Sequence, residues 1–471
     1  MKRLSLIIAF LVFASLSIVF VFVAFGETYY VRKGGNNNNT GTGPSKNQAW
    51  KTIFYAVSKL KAGDTCYVMD DDGGTYGENI NLNGANNGTS GNEITLAVYP
   101  GDSVTVTTNE AWGYGINVWL VQYWIIDGFT INGRESCSNC YAIFIYGADH
   151  NTIQNITVTG SGYAHIGKVC AKKNVKDPAT YNTLKNIDAS AITMSHEAFY
   201  IGIDPDDCAG TPWAKTGSPD VHNTFINIKC CSGMTEGFDI KPGSDYTLIQ
   251  DCTISGQKQC GVITAALDTT VENNVINGSS ASGNWGGIWV AKDAIVQNNI
   301  IYDYNRTGNQ SGIATVNQYY QTVSGNKICN NTIYDCKYGI KLEDGSSTVK
   351  NNAVHTASNY LIHVDSSSTG STIDYNSYYP STETKFYWNN TAYNFTNWKT
   401  ASSQDAHSIC SDPKFTDATN KDFHLQSDSP CIDAGVNVGL AYYGSAPDMG
   451  ALEYYGSPIA PPTGLKVITT K

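Results

Sequence analysis

Charge is scarce in this chain of 471 residues, and positive charge is scarcer. Only 15% of residues are charged, with 41 acidic side chains against 30 lysines and arginines, for a net charge of −11. Arginine is nearly missing: Arg3, Arg32, Arg134 and Arg306 are the whole complement. So acidic a chain excludes non-specific nucleic-acid binding. An acidic polymer remains open as a partner, provided a local basic patch or a bridging cation receives it. What is abundant instead is glycine (45) and tyrosine (30), which suits turns and strands better than helices.

A long apolar run, Leu4 to Phe25, follows Lys2 and Arg3 and ends in Ala24-Phe25-Gly26. The pattern is that of a secretory signal over residues 1–26, cut after Gly26. Its length is also close to membrane-spanning, so an uncleaved anchor is the alternative. Either way the body is exported, secreted or held at the cell surface, and touches the membrane only if the segment is retained. Export permits disulfides, and 13 cysteines leave at least one without an intrachain partner. Cys170 with Cys208, and Cys410 with Cys431, can be stapled. Cys137 and Cys140 have metal-like spacing but no second pair, which favours a structural role.

The middle of the chain repeats one phrase: TIQNITV, TLKNIDA, TFINIKC, TLIQDCT, TVENNVI, IVQNNII, KICNNTI and TVKNNAV. Its amide column reads Asn155, Asn186, Asn227, Gln250, Asn273, Asn298, Asn330 and Asn351, with spacings of 31, 41, 23, 23, 25, 32 and 21 residues. A period just above 20 with alternating apolar residues indicates stacked β-coils. The column reads as a structural ladder of amides at an inward turn. Residues 51–62 read as an amphipathic helix, with Ile53, Ala56, Val57 and Leu60 on one face, capping the first coil. Strand-like runs follow at 65–69, 94–99 and 104–107.

A second strand recurs between the phrases, among its copies YAHIG, AFYIG, GFDIK, GVITA and GIWVA. Alternation turns its second and fourth residues inward and its third and fifth outward. The outward row then carries Trp119, Phe144, Tyr146, His165, Tyr200 and Trp289, bracketing Asp239 and Lys241. Aromatic rings interrupted by polar groups suit a sugar-binding floor, and equally a β-surface covered by loops. The two consecutive long spacings place loops near 167–182 and 203–222, leaving the strand ends that carry His165 and Tyr200, one and two coils before Asp239 and Lys241. The first loop offers Lys168, Lys172, Lys173 and Lys176. The second offers Asp204, Asp206 and Asp207, which fit either a turn or a hard-cation site.

These segments resemble the right-handed parallel β-helix proteins of the pectate-lyase-like superfamily. The resemblance runs over roughly 28–455, in TYYVRKGGNNNNTGTGPSKNQAW, ITLAVYPGDSVTV and DPKFTDATNKDFHLQSDSPCIDAG with APDMGALEY. It implies an all-β solenoid, a right-handed parallel β-helix with an N-terminal capping helix. Residues 27–110 would form the cap and first coils, 111–375 the core, 376–455 a closing segment and 456–471 a proline-rich tail. The scaffold hosts lyases, hydrolases, epimerases and adhesins, so activity must come from the site. Hydrolase motifs of this fold are missing: Met234-Thr235-Glu236 and Lys258-Gln259 stand in their places. Met194-Ser195-His196-Glu197 matches half of an epimerase motif. No arginine is available as a lyase base.

The expected function is therefore a polysaccharide lyase cleaving a uronic-acid polymer by β-elimination, acting as a monomer. Lys241 is the first candidate base and His165 the second, Tyr200 the acid, with Glu236 and Asp239 beside them. The substrate carboxylate would be met by the lysine loop, including Lys168 and Lys172, or by Ca²⁺ on Asp204, Asp206 and Asp207. The competing expectation is a non-catalytic glycan-binding or structural surface protein. An ion pair between Asp239 and Lys241 would oppose the base role, because it favours the ammonium form.

Overall fold

The structure, a computed structural model, describes residues 26–456 except 72, 109–112, 134–139, 172–176, 204–218, 231, 307, 318–322 and 381–383. The expected signal segment and the tail beyond Gly456 lie outside the described residues. Among the described residues no helix is long and apolar enough to cross a membrane.

The strands stack as a parallel coil. Thr28–Val31 pairs with Thr65–Val68, which pairs with Ile94–Val98, all in parallel. On the face that matters below, Phe199, Phe238, Val262, Ile288, Ile313, Ile340, Ile362 and Phe386 occupy successive rungs in strict register. Each of these side chains is fully buried. The second and fourth positions of the recurring strand therefore point inward, as alternation requires. The inward residues form one continuous core running from Val31 to Trp398.

The amide column is an outer corner rather than an inward turn, and it does form a ladder there: Asn186 donates to Asn155 and Asn227 to Asn186 at 2.9 Å, and Asn351 to Asn330 at 3.1 Å. Asn155, Asn186, Asn227, Asn273, Asn298, Asn330 and Asn351 all adopt left-handed backbone, with φ between 51° and 58°. Asparagine tolerates that region better than most residues, which explains its recurrence. In the fourth phrase the left-handed residue is Asp251 rather than Gln250, because Gln250 pairs with Glu272, one place before Asn273. The inward ladder is made by other asparagines. Asn151, Asn182 and Asn223 link side chain to side chain at 3.1 Å, and Asn274, Asn299, Asn331, Asn352 and Asn376 at 3.0 Å.

Helix α1 spans Ile53–Val57, shorter than the expected 51–62. The expected face is correct: Ile53, Ala56, Val57 and Leu60 are all buried. The Glu78 carboxylate accepts the Ile53 and Phe54 N–H groups at 3.0 Å, and the Thr52 side chain accepts from Tyr55, so side chains satisfy this helix end. At the other end helix α2, Phe395–Ser402, covers the last coil. The buried Asp405 receives Trp398 Nε1 at 2.8 Å and the Tyr378 hydroxyl at 3.2 Å, and burial pushes its carboxyl up to about 6. The chain then folds back along the outer corner. Asn330 donates to the Asp448 carbonyl, and Asn351 to the Val436 carbonyl. Neither expected staple forms: Cys170, Cys410 and Cys431 are free thiols. Cys140 is disulfide-bonded.

Candidate functional site

The outward row of the face runs Phe144, Lys168, Tyr200, Asp239, Ile263 and Trp289 on successive rungs. His165, expected between Phe144 and Tyr200, stands three residues earlier, opposite Tyr141, and Lys168 takes the place in the row. The cause is local. The ladder slips between Cys140 and Tyr141, and Gly167 takes the inward place on the Phe199 rung, where only glycine fits because a Cβ would fall 2.5 Å from the Phe199 ring. The slip moves His165 by one row without removing it from the cluster.

Tyr200 is the centre. Lys168 Nζ stands 4.6 Å and Lys241 Nζ 5.1 Å from its ring centroid, both within cation–π range. Lys241 is 8% exposed, and its Nζ lies 2.9 Å from Asp239 Oδ2. The expected ion pair therefore exists, nearly buried. Gly202 makes room for it: its φ is +93°, and a Cβ there would lie 3.1 Å from Lys241 Cβ and 2.4 Å from Ser244 Oγ.

On the adjoining row, His165 stacks on Tyr141, with ring centroids 5.6 Å apart, and stands 5.6 Å from Tyr200. Its Nδ1 is 2.8 Å from the Glu197 carbonyl oxygen and 3.7 Å from Glu197 Oε2. Burial pushes the imidazole down to about 4, so the ring is neutral at pH 7. A carbonyl only accepts, so the proton sits on Nδ1 and Nε2 keeps its lone pair. Burial, reinforced by the charges of Glu197 and Asp239, pushes the Glu236 carboxyl up to about 7. Near neutral pH this acid is half protonated and can give or take a proton.

The aromatic end of the row is real but partly covered. Trp119 and Tyr146 have centroids 4.4 Å apart, and Phe144 is buried between Tyr114 and Tyr146. Trp289 lies two rungs beyond Asp239, packed on Trp285, with Nε1 donating to Ser311 Oγ. Lys172, Asp204, Asp206 and Asp207 lie outside the described residues. Among the described residues no group of three or more His, Cys, Asp or Glu side chains is placed to hold a metal ion. The sequence reading missed Glu197 as a partner of His165, and Tyr141 and His196 as its ring neighbours. Reading GKV rather than AHI as the strand frame would have put His165 opposite Tyr141 and Lys168 in the row.

A family model described as right handed beta helix region matches residues 218–378. The chain is a right-handed parallel β-helix. Solved structures similar to it include the pectate lyase Pel9A, at 17% identity over 92% of this chain and 98% of that one, TM-score 0.47. An alginate lyase from Paenibacillus sp. str. FPU-7 is 18% identical over 62% of this chain and 89% of that one, TM-score 0.41. The PL6 family alginate lyase AlyGC is 15% identical over 80% of this chain and 56% of that one, TM-score 0.47. These likenesses carry no assignment of activity. No curated protein sequence matches the chain.

Proposed function

We propose that this β-helix is an extracellular polysaccharide lyase that cleaves a uronic-acid polymer by β-elimination. The observation that supports it is the cluster of Lys168, Tyr200 and Lys241, with His165 and Glu236, on the outer face of three successive coils. Elimination needs the substrate carboxylate neutralised, the C5 proton removed and the departing oxygen protonated. Lys168 supplies positive charge for the carboxylate. Ca²⁺ held by Asp204, Asp206 and Asp207 is the proposed second means to the same end, and chelation tests it. Tyr200, lying between the two ammonium groups, donates the proton to the leaving oxygen.

Lys241 is the proposed base, with one condition. Asp239 holds it as an ammonium in the free protein, so the 2.9 Å pair must open when substrate enters. Burial and the like charge of Lys168 then favour the neutral amine. His165 is the reserve base and needs no such release. The two are separated by the pH dependence of turnover. A lysine base gives a rate that climbs through alkaline pH, whereas His165 gives a rate already flat above about pH 5, one unit past its folded value.

Glu236 favours a second reading. A carboxyl held near 7 beside other carboxylates is also the acid of a glycoside hydrolase. New reducing ends without ultraviolet absorbance would select hydrolysis. Glycan binding with neither product would select the binding protein.

A further inference from the structure

The same three outward rows carry a second cluster further along the helix. Asp239, Ile263, Trp289, Ala314, Lys341, His363 and Tyr387 are successive rungs. Lys341 is thus four rungs from Asp239, about 19 Å at ~4.8 Å per rung. Around it stand Tyr338 and Tyr360, three residues before Lys341 and His363, and Glu343, two residues after Lys341. We infer that Tyr338, Lys341, Glu343, Tyr360, His363 and Tyr387 form a second saccharide-binding site, which takes a neutral sugar residue through its hydroxyls.

Two independent observations carry this. First, His363 Nδ1 is buried and has no hydrogen-bond partner among the described residues. A buried polar atom left unpaired costs stability, and a turn of the ring that brings it to the surface lets a ligand hydroxyl complete it. Burial, with the Lys341 charge, pushes this imidazole down to about 4, so it meets that hydroxyl uncharged. Second, its surroundings are built for a sugar. His363 lies flat on Tyr387, with centroids 4.3 Å apart and 10° between planes. Tyr360 is 5.1 Å from Tyr387, and Tyr338 meets His363 edge-on at 5.6 Å. These three tyrosines are half-buried, and each pairs an apolar ring with a hydroxyl.

The ion pair decides the ligand class. Lys341 Nζ lies 2.7 Å from Glu343 Oε1 and 5.4 Å from the Tyr338 centroid. Its charge is already matched, so an incoming carboxylate would have to displace Glu343. Hydroxyls need no displacement: they accept from the remaining ammonium hydrogens and donate to the carboxylate. A polymer lying along the helix would reach this cluster from the first by way of Trp289. The inference stands whether or not the first cluster is catalytic.

Calorimetric titration of the full chain with neutral galactan and xylan hexasaccharides, in parallel with galacturonate hexasaccharide, tests it. The expected result is binding of a neutral hexasaccharide that weakens at least about tenfold in His363→Ala and Tyr387→Ala, one lost stacking or hydrogen-bonding group each. His363→Phe keeps the ring stack and removes the polar nitrogen, so it guards against a merely unfolded alanine variant and should also lose binding. The inference is overturned if neither neutral hexasaccharide binds the parent, or if His363→Phe binds as tightly as the parent. No readout here depends on turnover.

Discussion

At the inner corner of the later coils, Asn274, Asn299, Asn331, Asn352 and Asn376 repeat one side chain at every turn. Over the same turns the outward row reads Ile263, Trp289, Ala314, Lys341 and His363. The difference has a physical cause. Each inner asparagine accepts a backbone N–H from the coil before and donates to buried carbonyls, so every turn imposes the same demand. Asn299, for instance, accepts from the Asn274 N–H and donates to the Val271 and Gln297 carbonyls. The outer face has no such debt to its backbone, whose groups are already paired in the ladder. It is free to vary, and chemistry collects there.

The comparison can be broken most sharply at Lys241. Lys241→Ala should cut turnover at least about a hundredfold, the scale of a lost acid–base group; because it also leaves the nearly buried Asp239 carboxylate unpaired, the double variant Asp239→Asn/Lys241→Ala is the one whose thermal midpoint should stay near that of the parent. Equal losses of turnover and stability would mean that the outer face is scaffold as well. The converse substitution is Asn299→Leu, which orphans the partners just named. It should cost about 2–4 kcal/mol in denaturant titration, with turnover per folded molecule unchanged. Asn186→Ala acts at the outer corner, where φ is 55° and the side chain is exposed. About 1–2 kcal/mol is expected, because alanine strains the left-handed backbone and removes the exposed amide bonds to Asn155 and Asn227.

The smallest effect sharpens the comparison through pH. Glu236 binds its proton more tightly folded (about 7) than unfolded (4.5), so stability should fall as pH rises from 4.5 through 7. His165 has the opposite sign. Its folded value of about 4 lies below the unfolded 6.5, so its contribution is lost as pH falls through that window. Glu236→Gln should remove the first slope and leave the second, as read by thermal midpoints across pH. An unchanged slope would show that Glu236 is not held protonated.

Much of the fold was legible because the repeats are long and their backbone demands uniform. The column of left-handed asparagines set the period, and apolar alternation in GFDIK and AFYIG set the correct inward face. The length of α1 was not legible: the apolar pattern runs on to Leu60, whose N–H still reaches the Ala56 carbonyl, but from a turn beyond the helix end at Val57. Nor was the difference between inner and outer amides, since Asn273 and Asn274 adjoin and only backbone conformation separates them. In the site, Lys241, Asp239 and Tyr200 fell on the expected rungs. His165 did not, because its strand Tyr163–Cys170 carries two overlapping apolar frames and a ladder slip, and sequence alternation cannot choose between them. Glu197 was missed for the same reason.

The most direct test incubates the mature protein and Lys241→Ala with pectate, alginate and chondroitin, with and without Ca²⁺, while following the ultraviolet absorbance of unsaturated uronate ends. The account predicts absorbance rising on one of these polymers with the parent and not with Lys241→Ala. No absorbance on any polymer, or equal rates for both proteins, would contradict it.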